Sequence, residues 1–502
     1  MKPINGCSWL AALLIVPAAA LAQTEVPQTA ATAGPPVQRI STATALSTEQ
    51  LGSITSVREL PDGRVLVNDG TRRRLLLMDT TLRTVEVVLD SLSEIANTYG
   101  TRPAALIPFR GDTTLFVDPA SYAIVVIDPA GKPVRVRSVW KVQEIGYYTS
   151  STGMYGWPGV DSKGRIVYRI PAQPAPPRVR PPAGVPYIPS QPDSAFIIAV
   201  DLDTRMADTL GYIRIPRSEM VVRQSGEGFF FLDQAVNPMP STDEWALLPD
   251  GTVAFVRWRD YRVEYRNVDG TVTSSGKLPF EWQRITDDDK QRMVDSVRAV
   301  QQKNARNSWI SSIIRWVNLY NRDYPVGFTI PDDYVPTPGF AKDWIFPTGM
   351  KFPENYMYAC PPGVEPNSAA IRVVASGNAP ATGAARTPPC VPAPVMFGGG
   401  TAPPVPTLRP ITVMGAAEMP DYRPPIGAGS VRADAEGNLW IRTNPPKPVP
   451  GPVYDIVSRQ GELVNRLQLP PGYTLVGFGK DKVVYLSMRD ASGIHLARIR
   501  LR

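Results

Sequence analysis

The chain of 502 residues holds a single histidine, His495, and three cysteines, Cys7, Cys360 and Cys390. Ser-His-Asp catalysis, Cys-His catalysis and His-ligated metals would all have to run through His495. That residue stands in the last β-rich run, residues 494–501, where a partly exposed position on an outer strand, away from any channel, is expected. Two cysteines beyond the N-terminal region are too few for a structural zinc site. No glycine-rich phosphate loop precedes a helical pattern, and Gly398, Gly399 and Gly400 sit in low-complexity sequence, so nucleotide binding has no support. No apolar run of about 18 residues recurs past residue 22, so no transmembrane segment is expected. Charge of neither sign dominates, with 53 Lys and Arg against 46 Asp and Glu. The basic residues are spread over Arg72, Arg73, Arg74, Arg498, Arg500, Arg502 and many single positions, which argues against nucleic acid as a partner.

What is present begins with an export signal. Lys2, an apolar run from Trp9 to Leu21, and Ala20-Leu21-Ala22 before Gln23 read as a Sec signal peptide over residues 1–22. The mature protein is therefore expected in the periplasm or outside the cell. Cys7 precedes the apolar run instead of following it, which argues against a lipoprotein anchor. Residues 23–36 are Ala, Thr, Pro and Gly with little to bury, and read as a flexible leader. In an oxidising compartment a disulfide between Cys360 and Cys390 is the default expectation.

The rest of the chain is organised by a repeat. Residues 245–257, WALLPDGTVAFVR, read as a strand, a tight Pro-Asp-Gly turn and a second strand. The same pattern stands at residues 55–69 and 430–442, and these two copies share Ser-Val-Arg at one offset from the turn glycines Gly63 and Gly437. Weaker copies occupy residues 106–118, 159–168 and 476–486. Each of the first five hairpins is followed by two further β-rich runs, and a repeat of roughly 40–50 residues signals a propeller. The sixth sheet ends one strand short, while Val37 to Leu46 forms a strand without a neighbour in sequence. Open sheets would leave unpaired edges, whereas a ring leaves only short protected ones. The expected fold is all-β: a six-bladed β-propeller closed by the N-terminal strand, with blades one to four and that strand in residues 37–278 and blades five and six in residues 427–502.

The order strand, Asp-Gly turn, strand ending in Asp, strand, second Gly turn resembles the six-bladed propellers of the NHL-repeat and TolB-like group, in particular exported bacterial ones. The resemblance covers about residues 37–278 and 427–502, and the second, third and sixth copies depart from the pattern. It implies a central channel and a binding role, and it carries over no catalytic residue.

Residues 279–426 form an insertion between blades four and five, helical in part and rich in Pro and aromatics. Thr286 reads as the N-cap of a helix whose first turn holds Asp287, Asp288 and Asp289 at the positive end of the dipole. Met293, Val297, Val300, Ile310, Ile313, Ile314 and Val317 follow helical spacing, in one long helix or two, as a stripe to bury against the wheel. Twelve aromatics lie between Trp309 and Tyr358, where the overall 9% gives about five, and residues 361–410 revert to Pro, Gly and Ala.

Asp69, Asp118, Asp260 and Asp490 recur where second strands end. They read either as a carboxylate ring for Ca²⁺ or as caps on their own turns. Arg58 and Arg432, on strands expected to line the channel, either gather an anionic ligand or pair with neighbouring carboxylates. Trp344, Tyr356 and Tyr358 are the candidate binding aromatics of the insertion. The function expected is a non-enzymatic binding or scaffold propeller of the cell envelope, monomeric and without cofactor. Its partner would be a protein or polysaccharide held by one propeller face and the insertion. The alternative is a Ca²⁺-dependent hydrolase or lactonase, as in some six-bladed relatives, with channel carboxylates and amides holding the ion. Thiol titration of the denatured, unreduced mature protein is expected to find neither Cys360 nor Cys390 free; closing a loop of about 30 residues is worth roughly 3–4 kcal/mol.

Overall fold

The computed structural model describes residues 34–40, 43–91, 98–149, 153–172, 188, 191–216, 218–224, 230–320, 358–359, 390–391 and 411–501. Blade one shows how the repeat folds. Ile54–Glu59, Val65–Asp69, Arg74–Met78 and Val85–Asp90 pair antiparallel in that order. At the first turn the Leu60 amide donates to the Arg64 carbonyl (2.7 Å) and the Gly63 amide to the Leu60 carbonyl (2.9 Å). Gly63 has φ +84°, a left-handed conformation in which a Cβ is strained, so the turn calls for glycine. The Asp62 carboxylate completes it by accepting from the Arg64 amide at 3.0 Å. The same two backbone bonds close the turns 161–165, 248–252 and 434–438. Blade three thus keeps the turn despite its weaker sequence, because Gly164 supplies the positive φ. Blades two and six bend differently, through Gly111 and Asp112 and through Asp481 and Lys482.

Five further sheets follow the same order. Their inner strands, each the first of its blade, are Ala105–Pro108, Gly159–Val160, Glu244–Leu247, Ile426–Ala433 and Tyr473–Phe478. Alternation along a strand sends neighbouring side chains to opposite junctions. Val65 and Val67 pack with Val483, Tyr485 and Leu496 of blade six, whereas Leu66 packs with Phe116 and Val125 of blade two. A hydrophobic core stands at each of the six blade junctions, so the six sheets form a closed ring.

Val37 to Leu46 does not run as one strand. Val37–Arg39 adds a fifth, parallel strand to blade five, and Ala45–Leu46 lies antiparallel beside Gly493–Arg500 in blade six. Between the two, Ile40 is buried in the core shared by these blades, which diverts the chain from one sheet to the other. The amides of Thr44, Ser47 and Leu51 then donate to the carbonyls of Arg498, Leu496 and Ile494 at 2.8, 2.8 and 2.9 Å. His495 is likewise not a partly exposed strand residue. It is buried on the third strand of blade six, with Nδ1 3.0 Å from the Ser47 carbonyl and Nε2 2.9 Å from Ser492 Oγ. The residue that covers it is Ser47, just past the segment expected to close this blade.

Two excursions leave the ring on the face where chain passes from one blade to the next. Between blades three and four, Met220–Gln224 and Phe230–Gln234 form a hairpin that the expected repeat did not include, although Ser225-Gly226-Glu227-Gly228 between them is a turn sequence. Between blades four and five, one helix spans Asp287–Tyr320. Thr286 Oγ1 accepts from the Asp289 amide (3.2 Å) while the Asp289 carboxylate takes the Thr286 amide (3.2 Å) and hydroxyl (2.7 Å), a capping box with Asp at its third position. Of the expected apolar stripe, Met293 packs half-buried against a core of Val294, Met239, Ile285 and Met419, Val297 is half-buried and Val300 is 55% exposed, while the side chains of Ile310, Ile313, Ile314 and Val317 lie outside those described. Lys290, also buried, donates to Asp421 at 2.7 Å. The excursions touch through Val236 and Val413 and through Arg223 and Thr412. Tyr358–Ala359 pairs parallel with Cys390–Val391. Residues 23–33 of the leader, Trp344, Tyr356 and Cys360 lie outside the described residues.

Removing residues 34–51 strips the outer edge of blade six and opens the junction with blade one. The truncated protein is expected to melt many degrees below the full mature chain in calorimetry.

Candidate functional site

Within the ring, the inner strands surround a channel. Arg58 and Arg432 occupy the same offset from their turn glycines and so the same level of it. Arg432 reaches from blade five to Trp157, just before the inner strand of blade three, with the guanidinium 4.1 Å from the indole ring. Blades three and five are not neighbours, so this contact crosses the channel. Arg432 also donates to the Leu475 and Val476 carbonyls of blade six at 3.3 and 3.1 Å. Among the described residues it has no carboxylate within ion-pair distance, and enclosure in the channel lowers its pKa to about 10. Arg58 makes no ion pair with a described residue either. It faces the charges of Asp112 and Glu59 from farther off, and desolvation lowers its pKa.

Above the Arg432–Trp157 stack lies a cavity of about 200 Å³. Thr55 of blade one, Thr474, Leu475 and Val476 of blade six, and Gly429, Ser430, Arg442 and Tyr454 of blade five line it. These positions begin inner strands or flank the second loop of blade five, so the cavity opens on the face that carries both excursions. Arg442 is exposed, and Ser430 Oγ is buried without a hydrogen-bond partner. A larger cavity of about 340 Å³ lies on the opposite face between blades three and four. There Arg165 is already paired with Asp161 (2.8 Å) and Asp208 (2.5 Å), so its walls are largely neutralised.

Glu244, at the start of the inner strand of blade four, adjoins the Gly429–Ser430 wall of the channel cavity. It is fully buried, and neither carboxyl oxygen has a hydrogen-bond partner. A register shift between Ile426 and Val431, with Gly429 at φ +70°, brings the Gly429 amide near the carboxyl without normal hydrogen-bond geometry. Burial raises the Glu244 pKa to about 8, against the opposing charge of Arg169. Arg169 is itself buried; it donates to the Met154 carbonyl at 3.3 Å, and desolvation lowers its pKa. Asp243, next in the chain, is spent on Arg257 (2.9 Å) and on the amides of Arg214 and Trp258.

The recurring aspartates do not converge. Asp69 accepts from the amides of Gly52, Ser53 and Arg72, Asp118 from the Ala120 amide and Ser121 hydroxyl, and Asp490 from Ser492 and Gly493. Asp260 sits 3.7 Å from Arg262. Among the described residues no three His, Cys, Asp or Glu gather as a metal cluster. The sequence reading placed Arg432 at the channel and missed Glu244, Trp157, Arg442 and Tyr454. A signal for two of them existed: Trp157 and Glu244 stand at the offset from the turn glycine where blades one and five carry Ser56 and Ser430.

A carboxyl that ionises near 4.5 in the unfolded chain and near 8 in the folded one costs stability as pH rises between those values, and no more above them. Glu244→Gln is expected to remove that slope. Denaturant unfolding should show wild type losing on the order of 4 kcal/mol relative to the variant between about pH 4.5 and pH 8.

No protein-family model and no curated protein sequence matches the chain. Among solved structures, regucalcin of Agrobacterium tumefaciens, a calcium-binding protein, is similar at 9% identity over 93% of this chain and 98% of that one, with a TM-score of 0.33. A gluconolactonase of Xanthomonas campestris is 16% identical over 50% of this chain and 86% of its own, with a TM-score of 0.20. A Bacteroides fragilis protein classed as exported is 10% identical over 49% of this chain, with a TM-score of 0.25, and the match spans 56% of its length. At these identities and TM-scores the comparisons assign neither family, ligand nor activity.

Proposed function

We propose that this protein is an exported binding propeller that takes an anionic group of a cell-envelope protein or polysaccharide at the mouth of its channel. The observation that carries the reading is Arg432. A guanidinium enclosed in the channel without a counter-charge is unfavourable unless something supplies one, and buried charges in proteins are otherwise paired. Arg432 forms the floor of a cavity with Arg442 on its wall, so an anionic group that enters meets two cations. Both excursions flank the same face, where loops on a rigid scaffold usually hold binding residues. In this proposal Trp344, Tyr356 and Tyr358 add apolar contacts, the Cys360–Cys390 disulfide staples the insertion, the signal over residues 1–22 sends the protein out of the cytoplasm, and it acts as a monomer. The calcium-dependent hydrolase has less support, because Asp69, Asp118 and Asp490 are committed to backbone amides and hydroxyls of their own blades and the charge facing the cavity is positive.

Thermal melting of the mature protein with sodium sulfate, sodium glucuronate and neutral glucose tests this. The two anions are expected to raise Tm in a saturable way and glucose to leave it unchanged. Arg442→Ala should weaken the anion effect by about tenfold or more, since a hydrogen bond to a charged group is worth roughly 1.5–3 kcal/mol. A Tm raised by calcium and indifferent to both anions would overturn the reading in favour of the hydrolase.

A further inference from the structure

Resting on that anion-site reading, we infer that the site binds its anion together with a proton, and that the side chain of Glu244 carries it. The inference begins with Glu244 and its neighbours. Glu244 is fully sequestered, yet both of its oxygens lack a hydrogen-bond partner, which in a native protein calls for an explanation. It lies against the wall of the anion cavity at the one place where that wall has no side chain, Gly429, beside a second orphaned group, Ser430 Oγ.

The groups that face Glu244 come from three blades. They are Arg169 from the second strand of blade three, Arg442 from the second strand of blade five, the Gly429 amide from the inner strand of blade five, and Asp243 from its own blade. Asp243 is already ion-paired with Arg257. Arg169 and Arg442 are the cations left to compensate a negative charge, and Arg442 also lines the cavity. An ionised Glu244 and a bound anion would therefore compete for the same arginine across a thin wall. A neutral Glu244 leaves Arg442 to the anion and holds an O–H that can donate toward the cavity; an ionised one has only acceptors to offer.

Coupling of this kind is reciprocal: a proton on Glu244 tightens the anion, and the anion draws a proton onto Glu244. Affinity should fall as pH rises through the range where the folded carboxyl ionises, near 8. The site would then favour anions in acidic surroundings and release them in alkaline ones, with no movement of the ring. An ordered water bridging the two orphaned groups would satisfy their hydrogen bonds equally well but would leave anion affinity indifferent to Glu244.

Calorimetric titration of the full mature chain with sulfate separates these cases, because sulfate keeps its charge across the range. Between about pH 6.5 and pH 9 the wild type is expected to lose roughly tenfold in affinity, as one linked proton with a pKa near 8 requires. Repeating the titration in buffers of different ionisation enthalpy should show close to one proton taken up per sulfate near pH 9. Glu244→Gln, which keeps the shape and the neutral charge, should bind with one affinity at both pH values and take up no proton. Sulfate binding with no pH dependence and no proton uptake in the wild type would overturn the coupling and leave the anion site standing. A pH dependence that survives in Glu244→Gln would overturn it as well, by assigning the proton elsewhere. No binding at either pH would overturn the anion site itself, and the coupling with it. Should Glu244→Gln fail to fold, Glu244→Met, which removes the titrating group and keeps the volume, takes its place in both measurements with the same expected and overturning results.

Discussion

The structure depends on closing a ring of six cores. No blade buries both of its faces by itself, because Val65 and Val67 look one way and Leu66 the other, and each junction draws on two blades. The burial that stabilises one sheet is therefore conditional on its neighbours, and the last junction conditions all of them. That junction is completed by the segment from Thr44 to Leu51 beside blade six. His495 and Ser47 secure it: the imidazole Nδ1 lies on the Ser47 carbonyl, and Ser47 Oγ accepts from the Leu496 amide at 3.0 Å. The single histidine thus belongs to the closure, far from the channel.

Much of the arginine surplus is explained by the same ring. Arg64 donates to the Ala130 carbonyl of blade two, Arg110 to the Gly164 carbonyl of blade three, Arg459 to Asp250 of blade four, and Arg498 to the Thr80 carbonyl of blade one. Buried tyrosines do similar work inside, as when Tyr485 donates to Glu59 at 2.5 Å and Tyr261 to Asp455 at 2.7 Å across neighbouring blades. In both cases a polar group on one blade is satisfied by the next, which fixes the rotation of blades about the axis as well as their packing. Exposed members of this set contribute little each, since exposed ion pairs are screened by water. Arg432 breaks the pattern: it bridges three blades through carbonyls and an indole face and meets no carboxylate among the described residues.

The channel mouth gains its chemistry from that exception. The inner strand of blade five brings small residues, Gly429 and Ser430, to the axis, and the bulge beside them leaves room for a cavity. Glu244 and Arg169, held in place by cores on either side of blade four, put a carboxyl and a guanidinium where little water reaches. The two excursions start and end on the same rim because both connect the outer strand of one blade with the inner strand of the next. Tyr261, Phe280, Trp282 and Tyr422 carry that connection outward as a run of edge-to-face rings 5.5 to 6.4 Å apart.

What the sequence determined by itself was local. The Asp-Gly turns, the cap at Asp118 and the capping box at Thr286 depend on residues a few positions apart, so hydrogen bonds within one loop settle them, whereas Asp69 also ties in the amides of Gly52 and Ser53 from across the blade. Six copies of such a hairpin were enough to specify a ring, because only closure removes the unpaired edges. Tertiary structure alone decided the rest. Val37 to Leu46 split between blades five and six because Ile40 is drawn into a core that exists only once both blades are assembled. Arg432 was legible as a channel residue, but its want of a counter-charge was not, since that depends on which side chains from other blades come within reach. For Glu244, three blades must close around one carboxyl before its charge becomes costly: desolvation depends on everything within several ångströms in space, and the residues that enclose it lie far apart along the chain.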